Sequence, residues 1–348
     1  MGGLTPIGTY FDGTVRPGTV FGTGPSGYRA NTTGDYGTLN AFVLVDSNDQ
    51  PRFPPRDGTE GTPESLTANE VRTIIRNALI IAFRARAQIR RPLGSHAQVT
   101  ISVVDTNGSI LGIARTPDGP VFGTDVSLQK ARTAAFFSNT NTAADLIRAN
   151  LGNYWLAAKA VLGPGALSDG TAFADRSGGN LSRPFFPDGI DGAPHGPFSK
   201  PFSEWSPFNV GLQLDLVAAN IVAHRSFLLG QSSTDTPMNC TPIPVRPQTS
   251  KSPVANGIQI FPGSVPIYRN NTLIGGIGVS GDGIDQDDMI SFLGLHNAGL
   301  ELGTGVGNAP RPIRADNLEV PGGRLRYCLL YTSPSPRDKR QWGIPGWG

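Results

Sequence analysis

The sequence predicts an α+β fold in which an antiparallel sheet is flanked by helices. Three observations carry that expectation. Two β-rich runs, "QVTISVVDTNGSILGIART" and "SVPIYRNNTLIGGIGVSG", each read as a hairpin, and they stand far apart along the chain. Helical patterns lie before, between and after them. The 45 glycines and 30 prolines, with only 16% charged residues, leave room for long irregular segments around a compact core.

Taken in order, residues 1–62 are rich in Gly, Thr, Pro and Asp, with one strand-like run, "NAFVLVD". They read as an extension lying over the rest of the chain, or alternatively as a disordered leader. In "SLTANEVRTIIRNALIIAFRARAQIRR", Thr67 and Glu70 have capping-box spacing, and Val71, Ile74, Ile75, Ala78 and Ala82 recur with helical period. The helix ends before Pro92. Its arginines, Arg72, Arg76, Arg84, Arg86, Arg90 and Arg91, read as a solvated face; gripping a ligand carboxylate or phosphate is the alternative, because guanidinium suits bidentate contacts. The first hairpin turns at Asn107-Gly108, a pair that tolerates positive φ, and puts Val99, Ile101 and Val103 on one face. A short helix, "TDVSLQKARTAAFFS", follows, which Thr124 could cap, with Leu128, Ala131, Ala135 and Phe136 placed for packing.

Residues 139–250 alternate helical pieces with loops and read as an insertion into a single domain spanning 63–305. The second hairpin turns at Asn270 and Asn271. After it, "DQDDMISFLGLHNAG" reads as a helix whose acidic start suits the macrodipole. Residues 306–327 read as a loop tail. The last stretch, Cys328–Gly348, opens with "CLLYTSPSPRD"; it lacks periodicity and resembles a translated sequencing adapter, as carried by assembled environmental DNA, so it is set aside from fold reasoning.

Lys and Arg number 29 against 27 Asp and Glu; Cys328–Gly348 holds three of the former and one of the latter, so the balance without it is zero. Near-neutral charge with no long basic run argues against nucleic acid as a partner. No apolar run reaches the length needed to span a bilayer. The excess of Arg over Lys, with common Thr, Asn and Ser, leans towards an extracytoplasmic protein whose leader a truncated start would hide. With Cys328 set aside, Cys240 stands alone, which excludes an intrachain disulfide framework and paired-cysteine metal or haem-attachment motifs.

Gly276, Gly278 and Gly281 satisfy G-x-G-x-x-G, but a dinucleotide site needs that run at the first turn of a parallel βαβ unit. Here the preceding strand is the second arm of a hairpin, which argues against NAD or FAD. The glycines read instead as sites of tight packing or of close approach by a ligand or second subunit. The acidic run Asp282, Asp285, Asp287, Asp288 lacks the central glycine and terminal Glu of a calcium loop and reads as a helix start, with surface iron or calcium as the alternative. Of the four histidines, His96 reads as a solvated loop residue and His224, in "LVAANIVAHRSFLL", as a hydrogen-bonded core residue. His195, on an irregular loop, and His296, on the last helix, are the candidate metal ligands.

Two segments together resemble one family. "ISVVDTNGSILGIARTPDG", "SLQKARTAAFF" and, much later, "PGSVPIYRNNTLIGGIGVSGDGIDQDD" are similar to the GlcG/HbpS family of haem-binding and haem-degrading-related domains, also found fused to corrinoid adenosyltransferases. Asp105 and Gly108 match the family's first turn and Arg115 its arginine after the second strand. Lys130 and Thr133 match its "KA.TA" helix, and Gly263 and Pro266 the start of its later hairpin. Gly276, Gly278, Ser280 and Gly281 match "GAIGVSG", and Asp287 the acidic residue of "EQD". The chain departs from the family in the long insertion between these pieces and in Gly263-Ser264 where a Gly-Gly turn is usual; the family's haem ligands lie outside the matching motifs and are not carried over. The resemblance implies a profilin-like sheet, a homo-oligomer, and noncovalent binding of haem or a related tetrapyrrole. Arg115 or Lys130 would pair with a propionate, Thr133, the glycines and Asp287 would border the ligand, and His195 or His296 would ligate iron. The alternatives are an enzyme acting on haem or corrinoid, by family analogy alone, and a structural oligomerisation domain without a small ligand.

Overall fold

In the computed structural model, which describes residues 18–31, 34–206, 210–236 and 239–329, the two hairpins lie side by side. Strands β1 (Tyr28–Ala30) and β2 (Phe42–Leu44) come from the N-terminal extension and are followed by helix α1 (Ala68–Arg84). The first hairpin is β3 (Thr100–Val104) and β4 (Ile110–Arg115). Helices α2 (Gly123–Phe137), α3 (Thr142–Arg148), α4 (Gly152–Leu162), α5 (Asp175–Leu181) and α6 (Gly211–Leu228) come next. The second hairpin, β5 (Ser264–Arg269) and β6 (Thr272–Ser280), leads into α7 (Ile284–Leu302) and β7 (Val306–Asn308). These strands form one seven-stranded sheet in the order β1-β2-β4-β3-β6-β5-β7, antiparallel at every pairing. The α+β expectation is borne out.

The joint between the hairpins is the β3–β6 pairing, in which Ile101 stands opposite Val279 and Val103 opposite Ile277. Because side chains alternate across a strand, these four point to one face, where they pack in one core with Val71, Ile74, Ile75 and Ala78 of α1 and Ile290, Phe292 and Leu295 of α7. The opposite face carries α2, whose Leu128, Ala131 and Ala135 meet Leu44, Val104 and Ile113. Two hydroxyls, Ser102 Oγ and Ser127 Oγ, close beneath this helix at 2.7 Å. The sheet is therefore buried on both sides in its middle, and the fold has three layers.

The capping box is present as read: Thr67 Oγ1 accepts from the Glu70 backbone N–H, and the Glu70 carboxylate accepts from the Thr67 N–H. Glu70 also pairs with Arg269 at the end of β5 through two contacts of 2.8 Å, so the start of α1 is tied to the sheet. The second hairpin turns at Asn270, φ 54°, where a short polar side chain tolerates the left-handed conformation.

Three expectations are corrected. Thr124 is not the cap of α2: a turn from Pro120 to Gly123 starts the helix earlier, with Phe122 at the N-cap position and no side-chain cap. Residues 306–327 are not only loop, since β7 pairs with β5, and β8 (Glu319–Val320) forms a small ribbon with β9 (Gly323–Arg324). These strands of two or three residues, in "VGN", "EV" and "GR", carry too little alternation to be legible. His224 is not a core residue: α6 buries Gly211, Leu212, Gln213 and Leu216 near its start, whereas Ile221, Val222 and Leu228 further along are exposed, and His224 holds Asp235 Oδ1 at 2.7 Å in a half-exposed position. An apolar helix without a polar face does not reveal which half is covered.

Residues 139–250 build a second core with the end of α2, in which Phe136 and Phe137 meet Phe173, Leu181, Phe198 and Leu216. No described helix is long and apolar enough to cross a membrane. Of the stretch read as adapter, Cys328 is buried and the Leu329 N–H reaches Asp288 Oδ2 at 2.7 Å; residues 330–348 lie outside the described residues.

Candidate functional site

The structure brings Lys130, Asp287, Gly276 and Gly278 together and fills the space between them with protein. Lys130 Nζ, on α2, donates to Asp287 Oδ2 of α7 at 2.8 Å and to the Val279 carbonyl of β6 at 2.9 Å. Both side chains are 3% exposed. Burial pushes the Asp287 carboxyl above the usual range, while Lys130 pulls it down. The neighbouring Asp175, at the start of α5, is wholly buried and pushed well above that range by burial, with the pull of Lys130 opposing. Arg176 then grips Asp288 and Asp285 at 2.7 Å each. These pairs lock α2, α5, β6 and α7 to one another. They also account for the acidic run: Asp287 and Asp288 meet cations, and Asp282 Oδ1 accepts from the Gly283 and Gln88 N–H groups.

Gly276 and Gly278 serve the same junction. A Cβ at 276 would run into the Ala131 carbonyl, and one at 278 into Ser127 O and Ala131 N, so their hydrogens let α2 sit directly on the strand. Gly281 is pressed against the Gln98 carbonyl beyond the end of β6. Thr133 Oγ1 donates to Gln129 O at 2.6 Å and accepts from the Gln259 N–H at 2.9 Å, which fastens the segment preceding β5 to α2.

Arg115 stands apart, at the end of β4. It is 2% exposed, donates to Gly119 O, and lies under the Tyr28 ring with 4.4 Å to its centroid. His195 is exposed on the loop before α6, its Nδ1 3.1 Å from Gly196 O, and His296 is exposed on α7. Among the described residues no group of three or more His, Cys, Asp or Glu side chains is placed to hold a metal ion.

An open cleft of about 300 Å³ lies elsewhere, between the segment 53–59 along β4, Arg132 of α2 and the loop 248–251. Phe53, Ile110 and Leu111 give it an apolar wall, and Arg56, Arg132 and Lys251 supply three cations. Backbone hydrogen bonds from Arg56 N to Leu111 O and from Ile113 N to Phe53 O hold that wall in place. Arg132 is 5% exposed, and Nε donates to Gly108 O at 2.9 Å while Nη1 donates to Asn256 Oδ1 at 2.6 Å. Burial lowers its pKa to about 10, so the guanidinium stays charged at neutral pH. Sequence reasoning passed over all three cations. The one signal was Arg132 itself, the residue between Ala131 and Thr133 in the motif that resembles the family's helix.

Three comparisons bear on this chain. No curated protein matches it. Among solved structures, the chain is similar to that of a crystal structure of a PduOC:haem complex, at 16% identity over 70% of this chain and 99% of that one, TM-score 0.32. It is also similar to Klebsiella pneumoniae protein ORFY, of family DUF336, at 16% identity over 69% and 94%, TM-score 0.32. Residues 218–295, from the second half of α6 through β5 and β6 into α7, match the model of a family described as haem degrading protein HbpS-like, which bears out the resemblance to the GlcG/HbpS family read from the sequence.

Proposed function

We propose that the chain is a binding module that holds haem or a related tetrapyrrole noncovalently. The observation that carries this reading is the match of residues 218–295 to the HbpS-like family. The cleft beside β4 agrees with it in kind, since apolar surface next to cationic groups suits an aromatic macrocycle with an acidic edge. Its donor set fits that edge and contains no imidazole, so an iron ligand from this chain would come from His195 or His296, both open to solvent. Lys130 has its charge matched by Asp287, and Arg115 is enclosed beneath Tyr28; the cations that line the cleft are Arg56, Arg132 and Lys251.

Haemin titrated into the purified chain is expected to give a saturable shift of the Soret band at one equivalent. Singly replacing His195 or His296 by Ala is expected to alter the band position for whichever one ligates iron. The absence of any saturable shift would refute the reading. An unchanged band in both variants would remove the histidines from it, and unaltered affinity in Arg115→Ala would do the same for Arg115.

A further inference from the structure

The cleft beside β4 contains a cation, Arg132, that no carboxylate among the described residues pairs with. A buried guanidinium ordinarily has a carboxylate partner, because the cost of removing it from water is otherwise uncompensated. Among the described residues no carboxylate lies within ion-pair distance of Arg132, and its Nη2 makes no hydrogen bond. The acids nearest in effect are already engaged. Asp125 receives the Asn256 amide at 2.9 Å, which relays it to Arg132 only through Asn256. Asp105 is surrounded by donors from Thr59, Asn107 and Ser109. At the rim, Arg56 spends one nitrogen on Arg52 O, and Lys251 is exposed without a described ion pair. Among the described residues Asp57 is the one acid lining the cleft, and its Oδ1 takes the Ala68 N–H at 2.7 Å.

From this we infer that the cleft is a carboxylate-binding subsite, in which Arg132 Nη2 receives an anionic oxygen, Arg56 and Lys251 close over it, and Phe53, Ile110 and Leu111 contact the apolar body that bears the acid. The apolar wall selects a carboxylate on a hydrophobic frame over inorganic phosphate. Ser109, whose hydroxyl lies 3.2 Å from that of Thr59, adds a neutral donor to the lining, the Thr59 hydroxyl hydrogen being given to Asp105. The inference rests on the tetrapyrrole reading only for the identity of that frame; the site itself requires neither iron nor a histidine.

The test uses the full chain and metal-free protoporphyrin IX, its dimethyl ester, and benzoate as a small carboxylate on an aromatic ring. Wild type is expected to bind the free acid at least about tenfold more tightly than the ester, a difference worth roughly 1.4 kcal/mol. Arg132→Gln should erase that preference. Since Arg132 also holds Gly108 and Asn256, Arg56→Ala and Lys251→Ala, both on exposed residues, provide the second measurement, and together they should weaken the free acid several-fold without touching the ester. Equal affinity for acid and ester in wild type, or unchanged affinity in the rim variants, would overturn the inference even if haemin still binds. If no porphyrin binds but benzoate does, and loses affinity in these variants, the carboxylate subsite stands and the tetrapyrrole reading falls.

Discussion

Replacing Lys130 by Met separates a structural lock from a ligand contact. The substitution keeps most of the side-chain volume and removes one charge, leaving Asp287 buried and Val279 O without its donor. Removing one partner of a buried pair costs about 3–5 kcal/mol. An independent ceiling follows from protonation: keeping Asp287 neutral at pH 7, against an unfolded carboxyl titrating near 3.9, costs about 4 kcal/mol. The two agree, so a loss of about 3–4 kcal/mol is expected at pH 7. The sign of its pH dependence is fixed. In the variant the folded state binds a proton that the unfolded state has released, so the deficit shrinks as pH falls, by up to about 1.4 kcal/mol per pH unit. Adding Asp287→Leu removes the second charge, and the double variant is expected to recover to within about 1 kcal/mol of wild type or to exceed it. Urea unfolding followed by circular dichroism at pH 7 and pH 5, on wild type, both singles and the double, reads all of these. A single-variant loss below about 1 kcal/mol, or a double less stable than either single, would refute the lock.

Two further outcomes follow from the same core. Burial pushes the Glu70 carboxyl up, but hydrogen bonds from Arg269, Thr67 N–H and Thr304 outweigh it and hold the group at about 2 against an ordinary 4.5. Glu70→Gln keeps the capping geometry and drops the charge, so it should cost about 1–3 kcal/mol at pH 7; because the folded pKa is depressed, that deficit is full above about pH 4.5 and fades towards pH 2, and an equal deficit at pH 7 and pH 3 in urea melts would contradict it. Gly278→Ala should cost about 1–3 kcal/mol by forcing α2 off β6, whereas Gly307→Ala, which meets no atom within 4 Å, should stay within about 0.5 kcal/mol; equal thermal shifts in the two would remove the close-approach argument.

How much of this was legible depends on how local the determinant is. The α1 capping box, both hairpins and the acidic start of α7 are decided by residues a few positions apart, and each is found where the pattern puts it. Even the pairing of β3 with β6 was within reach, because two ribbons with apolar faces need a common sheet to bury them. Edge strands β1 and β7 are different: three residues each, they exist because a neighbour offers open backbone groups, and nothing in "YRA" or "VGN" announces that, whereas β2 between β1 and β4 lies within the run "NAFVLVD" that reads as a strand. Arg176 sits in a stretch that reads as loop between helical pieces, yet it anchors α5 to α7.

The candidate site follows the same division. Lys130 and Asp287 were found from sequence because each belongs to a motif, and that regularity is explained by their mutual pairing inside the fold, which leaves neither charge open to a ligand. The cleft has the opposite character. Arg56 comes from the extension, Arg132 from α2 and Lys251 from just after the insertion, so no window of sequence contains them together. Arg132 is held there by its bonds to Gly108 O and Asn256 Oδ1, and the strip of chain that carries Arg56 is held along β4 by Arg56 N to Leu111 O and Ile113 N to Phe53 O. In this chain the recognisable motif builds the frame and carries Arg132, while Arg56 and Lys251, the other two cations that line the cleft, come from segments that the motif does not include.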